Sequence, residues 1–123
     1  EKYGVSKYRY RELYNFCLQY EEKKVRRRRL FNKAVSEAAL CGRGGYGEGE
    51  ADSLMTQASL RLSEDISLIE DTAFDVDRVI APFILKNVTL GVPFEYLGLV
   101  PCSRGEFYAL RRNFFLLLDS RRR

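Results

Sequence analysis

The chain has 123 residues, 46% of them hydrophobic and 31% charged, with a formal net charge of +4. That size and balance fit one folded domain with a modest core and do not fit a disordered chain. No apolar run approaches the roughly 18 residues that a membrane span needs, the longest being Phe114 to Leu118. There is no histidine and no CxxC pair. Zinc, haem and most transition-metal sites thereby lose their usual ligands, and imidazole-based triads and general-base schemes drop out. The expectation is a non-enzyme with no cofactor and no metal. Cys17, Cys41 and Cys102 are an odd, widely spaced set, which suits free thiols in a reducing compartment. The amino-terminal residues show no h-region with a small-residue cleavage site, so the expected location is the cytoplasm, with no membrane partner.

Charge is unevenly placed. Residues 1–41 hold eleven Lys/Arg against five Asp/Glu, residues 42–77 hold two against nine, and residues 78–123 hold eight against three. The segments therefore carry +6, −7 and +5. Basic ends around an acidic middle suit both internal pairing and an anionic partner.

From Ser6 to Cys41 the pattern predicts one long helix or two nearly continuous ones. Tyr10, Leu13, Cys17 and Tyr20 follow 3–4–3 spacing, and the stripe is expected to resume at Phe31, Val35 and Ala38. Gly42 is the expected stop, where a left-handed backbone costs least. Gly42, Gly44 and Gly47 spell G-x-G-x-x-G, but the dinucleotide fingerprint needs a preceding strand and a helix directly behind it. A helix precedes here, so the segment reads as a loop.

A second long helix is expected from an N-cap at Asp52 or Ser53. Met55, Ala58, Leu62, Ile66, Ile69, Ala73 and Val76 keep 3–4 spacing along it. Two long helices joined by a glycine loop fold back as an antiparallel hairpin. With the loop centred near Tyr46, Arg26, Arg27, Arg28 and Arg29 fall opposite Glu64, Asp65, Glu70 and Asp71. The arginine run thus has two readings, pairing across the hairpin or contacts to a nucleic-acid backbone.

Asp77 to Asn87 reads as a short helix with Val79, Ile80, Phe83 and Ile84 inward, stopped by Gly91. A short helix with proline at its start is expected over Val92 to Leu99, then a turn at Val100-Pro101-Cys102. Ser103-Arg104-Gly105-Glu106 fits the capping box S-x-x-E. In the helix it opens, Phe107, Leu110, Phe114, Leu117 and Leu118 share one face. Gly105, Tyr108, Ala109 and Arg112 lie on another, flanked by Arg104 and Arg111. A short helix, a three-residue turn and a capped helix make a helix-turn-helix pattern. The exposed face has recognition chemistry: small residues for close approach, a tyrosine for phosphate or a thymine methyl, and arginines for guanine O6 and N7. Arg121 and Arg122 in the tail add charge for the helix end or for phosphate.

No strand pattern and no internal repeat is evident. The expected fold class is all-α over 1–123, with a helical hairpin over 6–76, its glycine-rich loop at 42–50, packed on a helix-turn-helix unit at 77–119.

Tyr8-Arg9-Tyr10-Arg11-Glu12-Leu13 with Phe16-Cys17-Leu18-Gln19-Tyr20 resembles the start of small phage and prophage proteins of Gram-positive bacteria. Pro82 to Thr89 and Val100 to Phe115 look like their later portions. The last stretch is similar to the tyrosine- and arginine-rich recognition helix of phage late-transcription regulators related to sigma-factor region 4. The resemblance implies a helical protein that controls late transcription at promoters, with double-stranded DNA and host RNA polymerase as partners. It carries a DNA-contacting role to Ser103, Arg104, Tyr108, Arg111 and Arg112. Gly105 departs from the bulkier polar residues common early in that helix, which leaves the base preference open. A rival reading is a phage protein that binds and inhibits a host defence nuclease, for example an anti-CRISPR that blocks an RNA-guided nuclease. A third is a homodimer formed through the hairpin.

Overall fold

In a computed structural model the described residues are 4–41 and 50–123, with side chains described for 4–37 and 57–123. All regular structure among them is helical: α1 (Lys7–Leu18), α2 (Tyr20–Cys41), α3 (Glu50–Val76), α4 (Ala81–Leu90), a 3₁₀ turn (Phe94–Tyr96) and α5 (Arg104–Arg121). No helix among them is long and apolar enough to cross a membrane. The chain divides into two compact units, Glu1–Glu21 with Ser67–Arg123, and Glu22–Ile66.

The first unit holds most of the core. Ser6 caps α1, its hydroxyl accepting from the Arg9 amide at 3.1 Å. One face of α1 then buries Leu13, Phe16 and Cys17, with Tyr20 buried just beyond it. The expected stripe holds over this stretch. α1 packs on α4 and α5, which contribute Ala81, Ile84 and Val88, and Phe107, Phe114, Phe115 and Leu118. Burying large side chains of this kind contributes about 1.5–3 kcal/mol each before ordering costs. From α3 come Ile69, Thr72 and Ala73. Thr72 and Thr89 satisfy their buried hydroxyls on the Leu68 and Leu85 carbonyls, four residues back, both at 2.6 Å. Among the described residues no buried side-chain N or O lacks a partner.

Several local expectations are corrected here. α4 begins at Ala81, later than Asp77, because the Asp77 carboxylate accepts from the Val79 and Ile80 amides at 2.9 and 3.0 Å and folds 77–80 into a turn. Val79 is consequently exposed, while Ile80 and Ile84 are buried as expected. Pro82 falls in the first turn, where its missing N–H removes no helical bond. Gly91 ends α4 in the left-handed conformation at φ 69°, a backbone that glycine adopts without steric cost. In place of a short helix over 92–99 there is a single 3₁₀ turn behind Pro93. The compact short-helix and three-residue-turn arrangement is therefore not formed; α4 and α5 are joined by a longer connection containing that turn.

In the second unit, Lys23 Nζ meets Asp65 Oδ2 at 3.0 Å and Arg27 Nη1 donates to Ser63 Oγ at 3.2 Å. Partners that descend along α3 as they ascend along α2 define antiparallel helices. A hairpin centred at Tyr46 would place Asp65 opposite Arg27. The register is slightly different, and Asp65 goes to Lys23. Arg26, Arg28 and Arg29 are exposed and make no ion pair among the described residues.

The apolar stripe does not resume as expected. Phe31 and Val35 are 66% and 52% exposed. The α-helical run breaks at Gln19, and beyond buried Tyr20 the less exposed of the described α2 side chains are Lys23, Lys24, Arg27 and Leu30, of which Lys23, Arg27 and Leu30 continue in line from Tyr20. That is the same 3–4–3 spacing, carried by long basic side chains whose aliphatic stems cover apolar surface. Phe31 and Val35 fall one position off it. α3 starts at Glu50, so Asp52 and Ser53 already lie inside the helix and are not its cap. Of its seam, Leu62, Ile66, Ile69 and Ala73 are buried and Ala58 is exposed. Gly42 and the glycine-rich segment lie outside the described residues, as do the side chains of Ala38 and Met55.

Candidate nucleic-acid interface

α5 is positioned by its cap and its apolar face. Ser103 Oγ accepts from the Glu106 amide at 3.1 Å, and Glu106 Oε1 accepts from the Ser103 amide at 3.2 Å. Both halves of the expected capping box form. Such caps contribute about 1 kcal/mol. Glu106 is committed to the cap. Phe107, Phe114 and Leu118 turn into the core as the spacing requires, with Phe115 beside them; Leu110 and Leu117 are half-buried. What remains outward on the first turns is Ser103, Arg104, Gly105, Ala109 and Arg112, with Tyr108 half-buried. No neighbour lies within 4 Å of where a Gly105 side chain would start, so that backbone is open to close approach.

The five expected contact residues are not equivalent. Arg104 Nε donates to Glu95 Oε1 at 3.0 Å, and its guanidinium lies 5.0 Å from the centre of the Tyr108 ring. Tyr108 itself rests against Phe94 and Phe107. Backbone bonding within its own turn, and then the Arg104 guanidinium, hold the Glu95 carboxyl below the usual carboxylate range. Arg112 is exposed.

Arg111 is different. Its Nε donates to Asn87 Oδ1 at 2.6 Å, and its guanidinium sits 4.9, 5.5 and 5.8 Å from the ring centres of Phe115, Tyr14 and Tyr10. Asn87 in turn donates to the Val92 carbonyl at 3.0 Å. This arginine ties α5 to α4 and α1. A base-reading role would require it to abandon three rings and a buried amide.

The tail arginines are likewise engaged. Arg121 donates to Thr72 Oγ1 at 3.1 Å and to Asp75 at 2.6 Å. Arg122 lies 3.7 Å from the centre of the Phe16 ring. Arg123 meets Asp119 Oδ2 at 3.0 Å, while Arg9 Nε reaches Asp119 Oδ1 at 2.6 Å. Those two guanidiniums, Arg9 first, hold the Asp119 carboxyl below its ordinary range against the effect of burial. Arg121 and Arg122 thus make ties within the first unit.

Glu95, Asn87 and Asp119 were absent from the residues singled out by sequence. Each is a single polar residue in an otherwise unremarkable stretch, and its partner lies on another element. Only Asp119, an acid closing an apolar run beside a basic tail, offered a local hint.

The remaining chemistry is sparse. Burial first, and then Glu106 and Asp77, push the Cys102 thiol up from its ordinary range, and Cys17 is buried. No group of His, Cys, Asp or Glu among the described residues is arranged to hold a metal ion. Comparison with protein-family models, with curated proteins and with solved structures finds no match to this chain.

Proposed function

We propose that the chain is a DNA-binding transcription regulator of phage or prophage origin, which reads duplex DNA with the amino-terminal half of α5. The observation that carries this reading is the division of labour along one helix. Its buried face is locked into the core by Phe107, Phe114, Phe115 and Leu118. The other side presents Arg104, Tyr108 and Arg112 around the small residues Gly105 and Ala109, behind a formed cap. A rigid helix with bidentate donors and room for close approach is what base-edge readout needs. Arg111, Arg121 and Arg122 are left out of the interface because their guanidiniums hold the fold. Arg26, Arg28 and Arg29 remain as backbone-neutralising charges. Replacing Tyr108 and Arg112 together with alanine is expected to lower discrimination between selected and scrambled duplexes by tenfold or more, about 1–3 kcal/mol for each good contact. Fluorescence anisotropy at fixed salt checks this, with a melting curve to show that the fold persists. Unchanged discrimination removes the site assignment.

A second reading, binding and inhibition of a host defence nuclease, draws on Phe31 and Val35, two large apolar side chains left exposed on α2 near Arg28. Exposed apolar residues beside charge suit a protein partner better than a phosphate backbone.

A further inference from the structure

We infer that Glu95 is a positioning residue for Arg104, and that Glu95 and the Tyr108 ring together hold the Arg104 guanidinium as a fixed fork directed at one guanine. This rests on the reading of α5 as the DNA-facing helix. Glu95 stands in the middle of the 3₁₀ turn, and that turn is fastened to its surroundings on both sides. Phe94 packs 5.2 Å from Phe107, centre to centre, and Leu97 is buried. The carboxylate is thus carried by a braced segment, not by a free loop.

It takes the Nε edge of Arg104, while the Tyr108 ring lies 5.0 Å from the same guanidinium. The two Nη groups donate to no other described residue. A guanidinium held by its Nε edge and lying against a ring presents its end-on donor pair outward. That is the planar fork which matches guanine O6 and N7. Holding the side chain in advance also removes ordering entropy that a free arginine would lose on binding.

A carboxylate beside a DNA-facing surface repels phosphate, so Glu95 acts in two opposed ways that can be separated. The pair is well exposed, at 66% and 54% for the two side chains. Exposed pairs of this kind add little to folding stability, so replacing Glu95 leaves the fold intact.

Duplexes are first selected from a random library by the parent chain. Binding of the parent, Glu95→Ala, Glu95→Gln and Arg104→Ala is then measured to the selected duplex, to versions with each guanine replaced by adenine, and to a scrambled duplex. Glu95→Ala is expected to bind the scrambled duplex more tightly, yet to lose about tenfold discrimination at one guanine. Glu95→Gln keeps an acceptor and retains most of that discrimination. Arg104→Ala loses the same guanine, and adding Glu95→Ala to it removes no more. If Glu95→Ala tightens binding to every duplex equally and keeps the guanine preference, the carboxylate only repels phosphate and the inference falls. If the parent chain selects no duplex at all, the reading of α5 fails, and the inference fails with it.

Discussion

Arg111→Ala is expected to unfold about 10 °C below the parent chain, a loss of about 3 kcal/mol at this size. The guanidinium contributes to three aromatic contacts, with Phe115, Tyr14 and Tyr10, and donates to Asn87 Oδ1. A cation held over rings contributes about 0.5–2 kcal/mol. A hydrogen bond from a charged donor adds about 1.5–3 kcal/mol. Truncation also leaves the Asn87 oxygen without that donor in a buried position. Arg111→Lys recovers less than half of the loss, because an ammonium has no planar face to lie against the rings and no fork to reach the amide. Thermal unfolding followed by circular dichroism checks both. Were Arg111 instead a base-reading residue, Arg111→Ala would leave the melting temperature within a degree or two and change only DNA selectivity.

The second large effect concerns pH. Asp119 is buried near the end of α5 and receives Arg9 and Arg123. Its folded-state pKa is depressed and that of Arg9 is raised, each chiefly by their mutual hydrogen bond. A carboxyl whose pKa is lower in the folded state stabilises the fold above its unfolded value, about 3.9. That contribution is lost as pH falls through the folded value. Asp119→Ala is expected to cost about 2 kcal/mol at neutral pH, where a charged hydrogen-bonded partner is removed. The difference between parent and variant should be constant from about pH 5 upward and shrink below about pH 4, as the parent carboxyl takes up its proton. Melting curves across that range decide it. A gap that stays open in acid would mean that Asp119 contributes through packing and not through its charge.

The helical class, the stop at Gly91 and the capping box of α5 were legible from the residues, whereas the break between the first two helices was left open. Each legible feature is written in a short local code: a 3–4 stripe, a glycine that tolerates positive φ, a serine three residues before a glutamate. The misreadings share a different cause. Phe31 and Val35 looked like core because they are apolar, yet the break at Gln19 hands the inward positions to Lys23 and Arg27. Helical phase outranked side-chain polarity there, since long basic side chains cover apolar surface with their stems. The start of α4 was missed because Asp77 bonds the next amides itself, a competition between side chain and helix.

Site residues proved harder because an arginine's role depends on what faces it. Arg104, Arg111 and Arg112 share one helix within two and a half turns, but one is held by a neighbouring carboxylate, one is bound into the core and one is exposed. Nothing local separates them. The partners, Glu95 nine residues before Arg104 and Asn87 twenty-four before Arg111, come together only once α4 and α5 are placed.

DNA binding by α5 is tested most directly by titrating the purified chain into duplexes drawn from a random library, repeated over a range of salt. Selective binding is expected, with an affinity that falls steeply and log-linearly with salt, as phosphate neutralisation requires, and a base preference that weakens when Tyr108 and Arg112 are both replaced by alanine. No duplex binding at low salt, together with capture of a stoichiometric host protein from nuclease-treated lysate, would contradict it and favour the inhibitor reading.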